Sequence, residues 1–200
     1  MRFLTFVILL LAGAGTQAQS GPTYRQLAVE SRGTVSATVG IGCGWVGPPL
    51  ASIVQFADIA VEGIVLNKRT YATNDDRSIF TEYEIATRQV LYQRVTQTAS
   101  KPGPPPPIIF KALGGTVVFD GYPFTLSGGP RTQLDVGSHV ILFGRYDKSD
   151  GKWLFGDRSV FHIAENIVLN WLPTLEGVPE GLEPRIPLTS FAQKVSDLVR

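Results

Sequence analysis

The pattern of apolar and polar positions changes character several times along the chain. Between Leu50 and Ala57 the apolar residues fall at Leu50, Ile53, Val54 and Ala57. That i, i+3, i+4, i+7 spacing places them on one helical face. Pro49 suits a first helical turn, so a two-turn amphipathic helix is expected here. The next stretch, Asp58–Leu66, is rich in β-branched residues and reads as a strand, with Gly63 marking a bulge or bend. Beyond the polar turn Thr73–Arg77, the segment Ile79–Tyr92 alternates, with Thr81, Tyr83 and Ile85 on one side and Glu82 and Glu84 on the other. Alternation of period two predicts a half-buried strand with its acids toward water.

Lys101–Pro107 interrupts the pattern with five prolines. Proline has no amide for a ladder, so the segment reads as an exposed polyproline II connection between strands. Ile108–Lys111, a Gly114-Gly115 turn and Thr116–Phe119 then read as a hairpin. Gly121–Gly137 reads as a long polar, glycine-rich connection. His139–Tyr146 is the most apolar strand candidate and is expected to be central. Asp147–Gly151 turns it into Lys152–Phe155, and Ser159–Ile163 supplies a last short strand. Five to seven strands separated by turn signals within residues 58–164 predict a mainly β fold, an antiparallel barrel or sandwich.

The flanks differ. Thr23–Gln26 has capping-box spacing for a helical turn near Tyr24–Glu30, and the uncharged run Thr34–Gly47 reads as an apolar loop packing Trp45 onto the strands. Pro173, Pro179, Pro184 and Pro187 space out an irregular arm. From Ser190, an S-x-x-Q box introduces a short helix with Phe191, Val195, Leu198 and Val199 on one face.

At the other end, Arg2 precedes an uncharged apolar run, Phe3–Gly15, and then Thr16-Gln17-Ala18. This is the layout of a secretory signal peptide cleaved after Ala18. The run of 13 residues is short of the ~20 needed to cross a bilayer. No Cys follows Leu11-Ala12-Gly13, so no lipid anchor is expected at that site. The organisation predicted is a signal peptide at 1–18, a loop-rich segment at 19–49, a β-barrel at 50–166 and an arm with a C-terminal helix at 167–200. The implied location is exported, periplasmic or secreted.

Charge removes one class of function. The chain has 18 Lys+Arg against 17 Asp+Glu, for a net charge of +1, and charged residues are only 18% of the total. Nucleic-acid affinity rests on clustered cations, so no nucleic-acid partner is expected. Cys43 is the one cysteine, which excludes an intramolecular disulfide. Between Gly42 and Gly44 it reads as a small buried hydrophobe.

Candidate chemistry is sparse. Gly42, Gly44 and Gly47 form a G-x-G-x-x-G, but Pro48-Pro49 follows instead of a helix start, and no repeating βαβ pattern comes after. His139 and His162 are the two histidines, each inside an apolar strand candidate. A metal or acid–base site would require them to meet beside Asp157 or Glu165. The paired ligand spacings of a structural zinc site are missing, and no cofactor is implied. Asp147-x-Ser149-Asp150-Gly151 lacks the bidentate Glu of a calcium loop and reads as a hairpin turn.

Several of these segments in order resemble a known barrel: A-D-I-A-V-E-G-I-V-L, I-F-T-E-Y-E-I, G-G-T-V-V-F, L-D-V-G-S-H-V-I-L-F and D-G-K-W-L-F-G. Over residues 50–164 the chain is similar to exported bacterial domains with the OB-like barrel of TIMP-type metalloproteinase inhibitors. The resemblance implies a small antiparallel OB-like barrel with a short helix before the first strand and a short C-terminal helix. It does not carry the inhibitory mechanism, which uses an N-terminal Cys, because the expected mature start is Gln19. The helix that an OB-fold places between its third and fourth strands also has no counterpart in the pattern.

The function expected is an exported, non-catalytic binding or interaction barrel for a protein or polymer of the envelope. OB-like barrels bind through one face and adjoining loops. Candidate contacts are the aromatics Tyr83, Tyr92 and Trp153, with Phe155 beside them, although the pattern suits all four equally to the core. Pro104 and Pro107 join them as part of the K-x-x-P-x-x-P pattern, which aromatic grooves recognise. The alternative is an extracytoplasmic enzyme with a site assembled around His139 and His162.

Overall fold

The two helices that precede the long strands follow from local sequence signals. In the computed structural model the described residues are 21–38, 50–94, 107–127, 133–169 and 185–200. Helix α1 (Tyr24–Ser31) forms the expected capping box. The Thr23 hydroxyl accepts the Gln26 amide at 3.2 Å, and the Gln26 side chain accepts the Thr23 amide at 2.8 Å. Helix α2 (Leu50–Phe56) buries Leu50, Ile53 and Val54, the stripe read from its spacing. The signal-peptide segment, Cys43, Trp45, the G-x-G-x-x-G run and Lys101–Pro106 lie outside the described residues.

The strands are β1 (Val35–Thr38), β2 (Ile59–Ala72), β3 (Ile79–Gln93), β4 (Ile108–Leu113), β5 (Gly115–Phe119), β6 (Tyr122–Ser127), β7 (His139–Asp147), β8 (Lys152–Leu154), β9 (Val160–Ala164), β10 (Ile167–Leu169) and β11 (Arg185–Pro187). Helix α3 (Leu188–Val199) closes the chain. The fold is mainly β. Strands β2, β3, β4, β8 and β7 pair in that order, and β7 pairs back to β2, so five strands form a closed ring. Every pairing in the ring is antiparallel except β4 with β8, where Phe110 lies beside Trp153.

Three apolar clusters fill the space around these strands. Inside the ring sit Ile59, Val61, Tyr83, Ile85, Phe110, Val140, Leu142 and Trp153. Two ring glycines permit this packing. A Cβ at Gly144 would lie 2.6 Å from the Phe110 ring, and one at Gly63 would lie 2.6 Å from the Ala86 carbonyl oxygen. At Gly63 the β2–β3 register also slips, the bend its position suggested. Outside the ring, α2 and α3 cover Ala60, Ile141, Phe143 and Phe161. The third cluster joins α1 to the small sheet β1-β6-β5 through Tyr24, Ala28, Phe119 and Phe124.

Several expectations are corrected. Ile108–Lys111 and Thr116–Phe119 do not form a hairpin with each other, because β4 pairs with β3 and β8 while β5 pairs with β6. The tight turn is Asp120-Gly121, with φ of 52° and 90°, the two positive angles a primed hairpin turn requires. Tyr122–Ser127 is therefore a strand, not the start of a polar connection. Within the expected loop at 34–47, Val35–Thr38 pairs in parallel with β6. Part of the arm is also ladder: Glu165-Asn166, at φ of 51° and 63°, turn β9 into β10, and β11 pairs with β10. Helix α3 starts at Leu188, and its N-cap, Pro187, makes no side-chain cap bond. The S-x-x-Q box is not formed.

Candidate functional site

The three aromatics proposed from sequence as partner contacts are interior residues. Tyr83, Tyr92 and Trp153 are 2%, 8% and 1% exposed, so they belong to the core. The two tyrosine hydroxyls are used inside the fold. The Tyr83 hydroxyl accepts the Leu134 amide at 3.3 Å, and the Tyr92 hydroxyl donates to the Val54 carbonyl at 3.2 Å. Burial pushes the Tyr92 hydroxyl up to about 12. Phe155 is likewise buried, in edge-to-face contact with Phe110. Pro107 is exposed just before β4, and Pro104 lies outside the described residues.

The strand register separates the two histidines. His162 on β9 lies opposite Val140 on β7, so it shares a face with Val140. Successive residues of a strand point to opposite faces, so His139 projects from the other side. There its Nε2 is 2.9 Å from a carboxylate oxygen of the buried Glu62. The geometry required for an acid–base or metal site around both histidines is not present.

The outer face of the ring instead carries a charged and aromatic cluster that the sequence reading missed. Cross-strand register builds it: Tyr71 lies opposite Phe80, Arg69 opposite Glu82, and Glu82 opposite Lys111. The β7–β8 hairpin adds Asp147 and Lys152, which face each other, and its turn adds Asp150. Lys111 is the anchor. Its side chain is 7% exposed, and its Nζ donates at 2.7 Å to Asp147 and at 2.7 Å to Asp150. A buried ammonium requires such partners. Burial would lower the Lys111 pKa, but the two aspartates together outweigh it and hold it above its ordinary value. The bond from Lys111, helped by Ser149, holds the Asp147 carboxyl well below the usual carboxylate range.

Glu82 was expected to face water. Its side chain is 12% exposed and accepts from Lys152 and, at 3.2 Å, from Arg69. Burial would raise its carboxyl, but the bonds from Lys152 and Tyr71 prevail and hold it low. Burial, then the bond to Glu82, pushes the Tyr71 hydroxyl up to about 12. Around the Tyr71 ring sit the Arg69 guanidinium at 5.7 Å and the Lys152 ammonium at 5.9 Å. Three cations (Arg69, Lys111, Lys152) thus meet three carboxylates (Glu82, Asp147, Asp150), and the face is neutral in sum.

Compared with known proteins, the chain matches no protein-family model and no curated protein. Function must therefore be argued from the site itself. A signal for this cluster was available: Lys111 is the lone charge in I-I-F-K-A-L, and a charge inside an apolar run implies a buried partner. Its partners lie on other strands, so finding them requires the register.

Two turns frame the face. Since β2 and β7 run antiparallel, the β2–β3 turn (73–78) and the β7–β8 turn (148–151) lie at opposite ends of the ring. The β2–β3 turn is fixed by the Thr73 hydroxyl, which donates to Asp75 at 2.6 Å and accepts the Ser78 amide at 3.0 Å. Asp147 holds the β7–β8 turn by accepting the Ser149 amide at 2.9 Å.

Proposed function

We propose that this protein is an exported, non-catalytic binding module, and that its ring is an OB-like barrel of the kind found in TIMP-type inhibitors. Numbering the ring strands by sequence, the closing order is first, second, third, fifth, fourth, with the third and fifth parallel. That order is the one an OB-fold uses, and it supports the resemblance drawn from sequence. Where an OB-fold has a helix between the third and fourth strands, this chain has the β5–β6 hairpin.

The observation that carries the binding reading is the Tyr71–Glu82–Lys111 cluster, which spans the first, second and third ring strands. OB-type barrels bind on that face, between the loops that follow the first and fourth strands. The partner class is a protein or polymer of the cell envelope that lies across β2 and β3 and contacts Arg69, Tyr71 and Phe80. An extracytoplasmic enzyme built on His139 and His162 is disfavoured, because the two side chains lie on opposite faces.

Capture from the native envelope fraction tests the reading, with immobilised wild type run beside Arg69→Glu and Tyr71→Ala. A species retained by wild type and lost from both variants supports it. Retention of the same species by all three proteins overturns the assignment of this face.

A further inference from the structure

Among the described residues, no strand pairs with the outer edge of the small sheet. Strand β5 (G-T-V-V-F) pairs with β6 on one side only. It carries no charge, no proline and no bulge, and Val118 is 66% exposed. The edge of the large sheet is different: β11 is three residues long and carries Arg185 and Pro187. Charge, proline and shortness are how proteins keep sheet edges from pairing, and β5 has none of the three apart from its modest length.

The hairpin geometry fixes which groups the edge offers. In an antiparallel ladder closed by a two-residue turn, the residues flanking the turn form a hydrogen-bonded pair, and bonded and non-bonded pairs then alternate. Phe119–Tyr122 and Val117–Phe124 are therefore bonded pairs, whereas Val118–Pro123 and Thr116–Thr125 are not. Two details agree. Pro123, which has no amide, sits in a non-bonded pair, and the Thr116 and Thr125 hydroxyls touch at 2.8 Å, as the closer spacing of such a pair allows. The N–H and C=O of Thr116 and Val118 thus point away from β6, and among the described residues no backbone bond reaches them.

Among the described residues, a cleft of about 630 Å³ runs between Thr116–Phe119 on one side and Thr70, Ala72, Thr73 and Asn74 on the other. Arg25 on its wall is held by Asp76 at 2.7 Å and Asp120 at 3.1 Å, so no unpaired cation repels an incoming strand.

We propose that β5 pairs antiparallel with β5 of a second copy of this chain, joining two small sheets into one. The edge is self-complementary. Its two outward-bonding residues are two apart, so a twofold axis at Val117 sets Thr116 of each copy opposite Val118 of the other. Each of those pairs exchanges two backbone bonds, and Val117 lies opposite itself in the non-bonded position between them. On the outer face the exposed Val118 is covered by the second copy's Thr116. Arg69, Tyr71 and Phe80 do not line this cleft, so either assignment can fail alone.

Light scattering tests the association and cross-linking tests the register. In a Cys43→Ser background the protein should scatter at twice the chain mass, and Val118→Lys should return it to the mass of one chain with its far-ultraviolet circular dichroism unchanged and a thermal midpoint that no longer rises with protein concentration. Val117→Cys in that background should oxidise to a covalent dimer, whereas Val118→Cys, facing Thr116, should not. A single-chain mass at the highest soluble concentration overturns the proposal. So does a dimer that survives Val118→Lys, equal cross-linking through both positions, or the edge being taken by an unrelated protein.

Discussion

The Lys111 ammonium, almost fully buried on the outer face of the ring, lies 2.7 Å from the carboxylate of Asp147 on a strand it does not pair with. This bond fastens β4 to the β7–β8 hairpin from outside, while Phe110 and Trp153 pack the same junction from within.

The first prediction concerns acid stability. The folded Asp147 carboxyl is held below its ordinary value. Its contribution is therefore complete above the unfolded value of about 4 and is lost as pH falls through the lower folded value. Lys111 is shifted upward, so its share is complete below about pH 10 and is lost at higher pH as the folded value is passed. Asp147→Asn should cost about 1–3 kcal/mol at neutral pH, with Asp150 still pairing Lys111. It should also flatten the loss of stability below about pH 4. Urea midpoints of both proteins between neutral and acid pH measure this, and an acid limb as steep in the variant would refute it.

A second prediction addresses the ring interior. Gly144→Ala would place a Cβ 2.6 Å from Phe110 and 3.1 Å from Trp153. Overpacking of this kind costs about 1–3 kcal/mol. Gly63→Ala should cost at least as much, because its new Cβ would meet the Ala86 backbone as well as the Ile85 side chain. Denaturant unfolding decides it, with unchanged midpoints as the contrary result.

The interior aromatics yield the third. Tyr83→Phe deletes the acceptor of the buried Leu134 amide and should cost about 1–3 kcal/mol. Partner capture by the folded variant should be unaffected, unlike that by Tyr71→Ala. A Tyr83→Phe protein that keeps full stability and loses its partner would return Tyr83 to the binding face.

Export gives the fourth. The secreted form should begin at Gln19 and carry no lipid, as the Arg2, apolar-run and Ala18 pattern implies. Intact mass of protein recovered from outside the cytoplasm checks it. A mass that retains residues 1–18 is the opposing outcome.

Local signals were legible where one segment decides its own structure. The α2 stripe, the Thr23–Gln26 box and the alternation through Thr81, Tyr83 and Ile85 all appear where their spacing puts them. Gly114-Gly115 misled because two glycines read as a turn. Gly115 instead has φ of 130°, and a Cβ there would lie 2.4 Å from the Thr81 hydroxyl, so it serves a close approach rather than a hairpin. The Asp120-Gly121 turn was in plain view, but Gly121–Gly137 reads as one polar, glycine-rich connection and hides the strand that follows it. Pro123 is tolerated since it sits in a non-bonded pair with Val118. The site was less legible for a different reason. Tyr83 and Trp153 serve equally as recognition aromatics or as core in a linear reading, and closure of the ring around them decides for the core. Lys111, Asp147 and Lys152 become neighbours through the β4–β8 junction, which no local pattern encodes.

That junction also bears on how the protein reaches its folded state. The β2–β3 and β7–β8 hairpins join neighbouring segments and can form early, since their loops close quickly. The parallel contact of Phe110 with Trp153 joins segments separated by β5, β6 and β7, and β8 supplies only three residues to hold it. Pairings of long sequence separation must meet the cost of loop closure before they return any stability. Ring closure is therefore the natural late step of folding. Until it happens, Tyr83, Phe110 and Trp153 are open to solvent, and the interval before β8 docks is when the chain is most exposed to aggregation.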